Sequence, residues 1–118
     1  MVESNLHEFK EASFPKSCRL TRRREFERIS RQGSRLVGRK LMMETLFNAQ
    51  ETPKLGVTVT KKYGKAHERN RFKRCVREAF RRSKFALPQN LSINIRPRHK
   101  DVIPSTKSFQ EELLYLLR

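Results

Sequence analysis

The spacing of apolar side chains changes along the chain, and each change marks an element. Residues 1–17 show no sustained period and are interrupted by Pro15, which predicts a loose N-terminal arm ahead of a single domain over 18–118. Phe26 and Ile29 then fall one helical turn apart, predicting a helix from Thr21 to Gln32 with Thr21 as its cap and Gly33 as a C′ residue in the left-handed region. A strand region follows from Arg35 to Phe47, as a short piece and then Arg39 to Phe47. There Leu41, Met43, Thr45 and Phe47 share one parity, and Met42, Glu44 and Leu46 the other. Asn48 to Pro53 is a polar connection. From Lys54 to Thr60 the alternation is clean, with Leu55, Val57 and Val59 inward and Gly56, Thr58 and Thr60 outward.

Lys61 to Lys65 predicts a basic turn around Gly64, leading into a helix that runs to about Lys84. In that helix Phe72, Cys75, Val76, Ala79 and Phe80 fall at i, i+3, i+4, i+7 and i+8, an apolar stripe fit to lie on a core. Beyond Pro88, Leu91 to Arg96 alternates again, with Leu91, Ile93 and Ile95 inward and Ser92, Asn94 and Arg96 outward. Pro97 to Pro104 reads as a loop. The last helix begins near Ser105 or Ser108, where Ser108 and Glu111 suit a capping box, and carries Phe109, Leu113, Leu116 and Leu117 at helical spacing. The order is therefore α-β-β-β-α-β-α: an α/β (α+β) two-layer sandwich in which helices pack on a four-stranded sheet. A strand, a helix of about twenty residues and another strand form a βαβ unit by length. There is no internal repeat and no low-complexity segment.

Charge adds a partner to this picture. The 118 residues carry a formal net charge of +16. From Lys16 to Lys100 there are 25 Lys and Arg against 6 Glu, so the excess belongs to the body of the chain and not to a basic tail. Lys61 to Lys84 alone holds 11 basic residues, opposed by Glu68 and Glu78. Asn70, Arg71, Lys73, Arg74, Arg77, Arg81 and Arg82 fill the arc of that helix opposite the apolar stripe. Like charges four residues apart cost a few tenths of a kcal/mol per pair, roughly. A face so uniformly cationic makes most sense under a polyanion, with nucleic acid the first choice. An anionic membrane is the rival, but the apolar arc is committed to a core and no lipidation motif or membrane-length apolar run occurs. Arg22, Arg23 and Arg24 have the wrong sign for a helix N-terminus, which fits either a binding role or a solvated charge run. The hydroxyls of Thr58 and Thr60 suit contact with a nucleic-acid strand, although Thr is equally an ordinary strand former.

Candidate catalytic chemistry is missing from the pattern. No pair or cluster among the 12 acidic residues suggests a metal-binding nuclease site or a general acid/base couple, and His7, His67 and His99 have no ligand spacing. Cys18 and Cys75 read as reduced thiols of a cytoplasmic protein, in keeping with a polar N-terminus that has no secretory pattern. No phosphate-loop or dinucleotide fingerprint occurs. The polypeptide reads as a binder.

The segment RNRFKRCVREAF closely resembles the signature of the bacterial ribonuclease P protein family, with Arg69, Asn70, Arg71, Lys73, Arg74 and Arg77 at its positions. LGVTVTKK (Leu55 to Lys62) resembles the strand before the signature, and Arg19 to Gly33 the family's first helix, with Phe26 at a characteristic aromatic position. The likeness extends over residues 16–118. It implies the ribosomal protein S5 domain 2-like fold with a left-handed βαβ crossover, where periodicity alone predicts the usual right-handed one. It also implies a protein component of a ribonucleoprotein endoribonuclease, one protein per catalytic RNA, that removes the 5′ leader of precursor transfer RNA. Catalytic groups and Mg²⁺ are then expected chiefly in the RNA. Arg69, Asn70, Arg71, Lys73, Arg74, Arg77 and Arg81 are expected on the RNA, and Phe26, Thr58, Thr60, Lys61 and Lys62 on the leader. A general RNA-binding or ribosome-associated protein of the same fold is the alternative.

Two positions depart from the family pattern. Ser30 stands where a second aromatic often follows Phe26 by one turn, and Glu44 where an aromatic is expected to line the leader groove. Stacking is worth about 1–3 kcal/mol per base. With two such partners missing, leader grip is expected to rest more on Lys61, Lys62, Arg69 and the threonine hydroxyls.

Overall fold

The computed structural model describes residues 18–50 and 52–117; the expected arm, residues 1–17, lies outside the described residues. The elements are α1 (Arg23–Gln32), β1 (Ser34–Val37), β2 (Leu41–Phe47), β3 (Lys54–Val57), α2 (Ala66–Ser83), a short 3₁₀ turn (Lys84–Ala86), β4 (Leu91–Pro97) and α3 (Thr106–Leu117). The strands form one sheet in the order β1-β2-β4-β3. β1 and β4 both run antiparallel to β2, and β3 lies parallel to β4, with α2 making the connection.

One face of the sheet is the core. Leu41 and Met43 from β2, Leu55 from β3 and Leu91, Ile93 and Ile95 from β4 meet Phe72, Val76, Ala79 and Phe80 of α2 and Phe109 and Leu113 of α3. The helical stripe thus buries as its period requires, with Cys75 only partly covered. The rings of Tyr63 and Phe72, and of Phe72 and Phe109, lie 5.2 Å apart edge-on or tilted, joining the basic turn to both helices. The Tyr63 hydroxyl donates to the Val102 carbonyl at 2.7 Å.

The other face is only partly covered, by α1. Gly56 is paired with Asn94 and shares its side-chain direction, and a Cβ there would stand 2.3 Å from Cε1 of Phe26. The ring therefore rests on the sheet where the missing side chain leaves room. Ile29, one turn on, is buried beside Leu46 and Ser92. Ser92 and Asn94, expected to point to solvent, are each only 2% exposed, because a helix and a polar network cover a face that alternation alone assigns to water.

Four end-of-element expectations are corrected. Thr21 does not cap α1, which begins at Arg23. The Glu25 carboxylate instead accepts the N–H groups of Thr21 and Arg22 at 3.3 and 3.0 Å, a first-turn acid satisfying donors ahead of it. Gly33 is extended (φ −84°, ψ 175°), not left-handed. What demands glycine is space, since a Cβ would lie 2.3 Å from the Thr45 carbonyl oxygen. α3 starts from Ser105, one of the two expected starts, but the Ser108–Glu111 capping box is replaced by Ser105 Oγ accepting the Ser108 N–H at 3.3 Å. The β3 ladder ends at Val57, although Thr58 still donates to the Ile95 carbonyl at 2.9 Å as the chain turns away.

Candidate nucleic-acid interface

α2 separates its two kinds of residue cleanly. Phe72 and Phe80 are fully buried, while Asn70, Arg71 and Arg74 are exposed and Arg69, Lys73 and Arg77 partly so. The Glu68 carboxylate accepts the Lys65 N–H at 2.8 Å, so one of the two acids of this segment is used in starting the helix. Glu78 takes the other end. It pairs with Arg81 and, at 3.1 Å, with Arg82. The hydrogen bond from Arg81 comes first in holding the Glu78 carboxyl below its ordinary value, and the same bond raises Arg81. Arg81, expected on the RNA, is thus partly neutralised within the helix.

Arg77 is the crowded position on this face. Burial and then the charge of Arg19 lower the pKa of Arg77 from its ordinary value. Arg19 belongs to the segment that runs beside β3, where Leu20 donates to the Leu55 carbonyl at 2.9 Å. Arg19 also lines an open cleft of about 700 Å³ with Arg22, Arg24, Arg28 and Lys54. The cationic surface therefore continues from α2 around the β3 edge to α1, a continuity that charge counting along the chain does not reveal. Of the three arginines at the start of α1, Arg22 and Arg24 line this cleft, whereas Arg23 pairs with Glu27 at 3.6 Å.

The leader candidates lie on the second sheet face and on the turn beyond β3. Phe26 is partly exposed above Gly56. Thr58 is partly exposed and its hydroxyl donates to Asn94 Oδ1 at 3.1 Å; Thr60, Lys61 and Lys62 are exposed. Ser30 is exposed on α1. Glu44, the other departure, is 3% exposed in the middle of this face. Its carboxylate accepts from Arg96 at 2.9 Å and from Asn94 Nδ2 at 3.4 Å, and Arg35 stands 3.7 Å away. Along the chain Arg35 carries no signal of a partner and Arg96 only that of an outward direction. The signal that joins them, the register of β1, β2 and β4, is absent from a linear pattern.

Among the described residues no group of three or more His, Cys, Asp or Glu side chains is gathered so as to hold a metal ion. Among them also, no helix is long and apolar enough to cross a membrane.

Known proteins share this arrangement. The ribonuclease P family profile matches residues 14–118. The chain is 42% identical over 90 residues to the ribonuclease P protein component of Chlamydia felis, covering 75% of this chain but only 64% of that protein. It is 40% identical over 103 residues to the component of Chlamydia trachomatis serovar L2, covering 86% of this chain and 84% of the relative. The ribonuclease P protein of Thermotoga maritima superposes with a TM-score of 0.75 at 36% identity, over 84% of this chain and 94% of that one. A chain with this sheet order, this cationic helix and these relatives belongs to the ribonuclease P protein family.

Proposed function

We propose that this chain is the protein subunit of a ribonuclease P, binding a catalytic RNA through the outer arc of α2 and the 5′ leader of precursor transfer RNA across the second sheet face. The observation that carries this is the placement of the signature. Arg71 and Arg74 face solvent while Phe72 and Val76, interleaved with them, are buried to 1% exposure or less. Folding alone gives no reason to collect so much like charge on one arc; phosphates neutralising it do. Arg69, Asn70, Lys73 and Arg77 extend the same arc, with Arg81 held at its end by Glu78. Phe26, Thr58, Thr60, Lys61 and Lys62 would meet the leader, with an aromatic ring for a base, hydroxyls and lysines for the backbone.

This reading gives Mg²⁺ and the phosphodiester hydrolysis to the RNA. The protein's residues bind and orient. One protein per RNA, acting in the cytoplasm, completes the proposal.

Reconstitution tests it. Added to a ribonuclease P RNA, the chain should lower the Mg²⁺ concentration needed for cleavage at the mature 5′ end of a precursor. Tight RNA binding with no change in that requirement would favour a general RNA-binding protein of the same fold.

A further inference from the structure

β-sheet register lines up four positions across the strands: Arg35 on β1, Glu44 on β2, Asn94 on β4 and Gly56 on β3. The Phe26 ring covers Gly56 at one end of this row. Three strand spacings carry the row over about 14 Å. Toward the other end the Arg35 side chain on β1 is 61% exposed, and that of Arg96, two residues beyond Asn94 on β4, is 35% exposed. Between them Glu44 is buried, and its carboxylate is engaged by Arg96 and Asn94, with Arg35 beside it. Asn94 in turn accepts from Thr58, so the row is connected by polar contacts to the basic turn beyond β3.

One carboxylate faces two guanidiniums, and the cluster keeps a net positive charge. A guanidinium has five N–H donors; Glu44 takes one from Arg96 and stands 3.7 Å from Arg35, an ion pair without a hydrogen bond. Arg96 Nε is buried with no hydrogen-bond partner among the described residues. Burying a carboxylate to hold two arginines at the rim of an open sheet face is costly for stability alone. It makes sense if the arginines must be presented in fixed positions to an anion.

We infer that Arg35 and Arg96 form a phosphate-binding wall for single-stranded RNA, and that Glu44 is the positioning residue that aims them. The inference rests on the proposed leader-binding function and names further residues for it. A single RNA strand laid across the sheet would meet the Phe26 ring over β3 and then the two guanidiniums gathered about Glu44. Here paired arginines, oriented by an acid, do the holding that an aromatic side chain at position 44 would otherwise do by stacking. The occupant is an unpaired polyanion: a duplex could not lay bases on Phe26 and a phosphate on Arg35 together.

The test uses holoenzyme reconstituted from the full chain and a ribonuclease P RNA, titrated with precursor carrying a 5′ leader and with mature transfer RNA. Arg35→Ala and Arg96→Gln should each weaken precursor binding about tenfold relative to mature transfer RNA. Each should also reduce the salt slope of precursor binding by about 0.7, one single-strand phosphate. Glu44→Gln, which keeps both arginines but not their orientation, should lose less of the preference while leaving the slope near its original value. Arg96→Lys should restore the slope without restoring the full affinity, since it returns charge but not the fork. Thermal melting separates misfolding from lost contact, and Arg35, already exposed, decides the matter if Arg96→Gln fails to fold. Wild-type holoenzyme with no preference for precursor would overturn the parent reading. A wild-type preference that survives Arg35→Ala with its salt slope intact would leave that reading standing and overturn this inference.

Discussion

Glu78 answers the charge crowding of α2 at close quarters, accepting from Arg81 and Arg82 on the next turn. Because its folded carboxyl is held below the ordinary value, chiefly by the Arg81 hydrogen bond, it adds stability above the unfolded carboxyl's range. That contribution is lost as pH falls from about 4.3 through the folded value. Both partners are partly exposed, so it is worth only ~0.5–1 kcal/mol. Glu78→Gln should lower the melting temperature at neutral pH and show less further loss on acidification. An unaltered acid profile would mean the pair contributes nothing. Gly56 makes a different kind of contribution, as the gap that seats Phe26. Gly56→Ala should displace the ring, cost about 1–3 kcal/mol and weaken precursor binding, and Phe26→Ala should weaken that binding too. Full precursor binding in both variants would remove Phe26 from the leader site.

At the scale of elements, α2 was the most legible part of the sequence. Its apolar stripe has a helical period, and burial of Phe72, Val76, Ala79 and Phe80 follows that period residue by residue. Reversing charge on its outer arc should therefore spare the fold. Arg71→Glu with Arg74→Glu should melt within a few degrees of wild type, yet lose assembly with ribonuclease P RNA. Unfolding would refute the assignment of faces. The ends of elements were less legible, for physical reasons. Thr21 has the right side chain for a cap, but Glu25 reaches back to the same donors. Gly33 signals a turn, yet it is there because the Thr45 and Ile29 carbonyls leave no space for a Cβ.

For the whole molecule, α-helix and β-strand content and their order could be read from alternation and spacing, whereas the sheet order β1-β2-β4-β3 could not. Strand order decides which side chains become neighbours. Glu44 reads as a lost aromatic along the chain, and only pairing with β1 and β4 sets it between Arg35 and Arg96. Likewise the approach of Arg19 to Arg77 joins two basic segments that are 58 residues apart in the numbering. The resulting protein has one side committed to its core and a cationic surface running from α2 past the β3 edge to α1, beside a sheet face partly open to a strand. Under the proposed function these surfaces serve two RNA ligands at once. The direct measurement compares the affinities of precursor and mature transfer RNA for a ribonuclease P RNA, with and without this chain. Added protein should tighten precursor binding at least tenfold while leaving mature transfer RNA nearly unchanged. Equal tightening of both would contradict the claim.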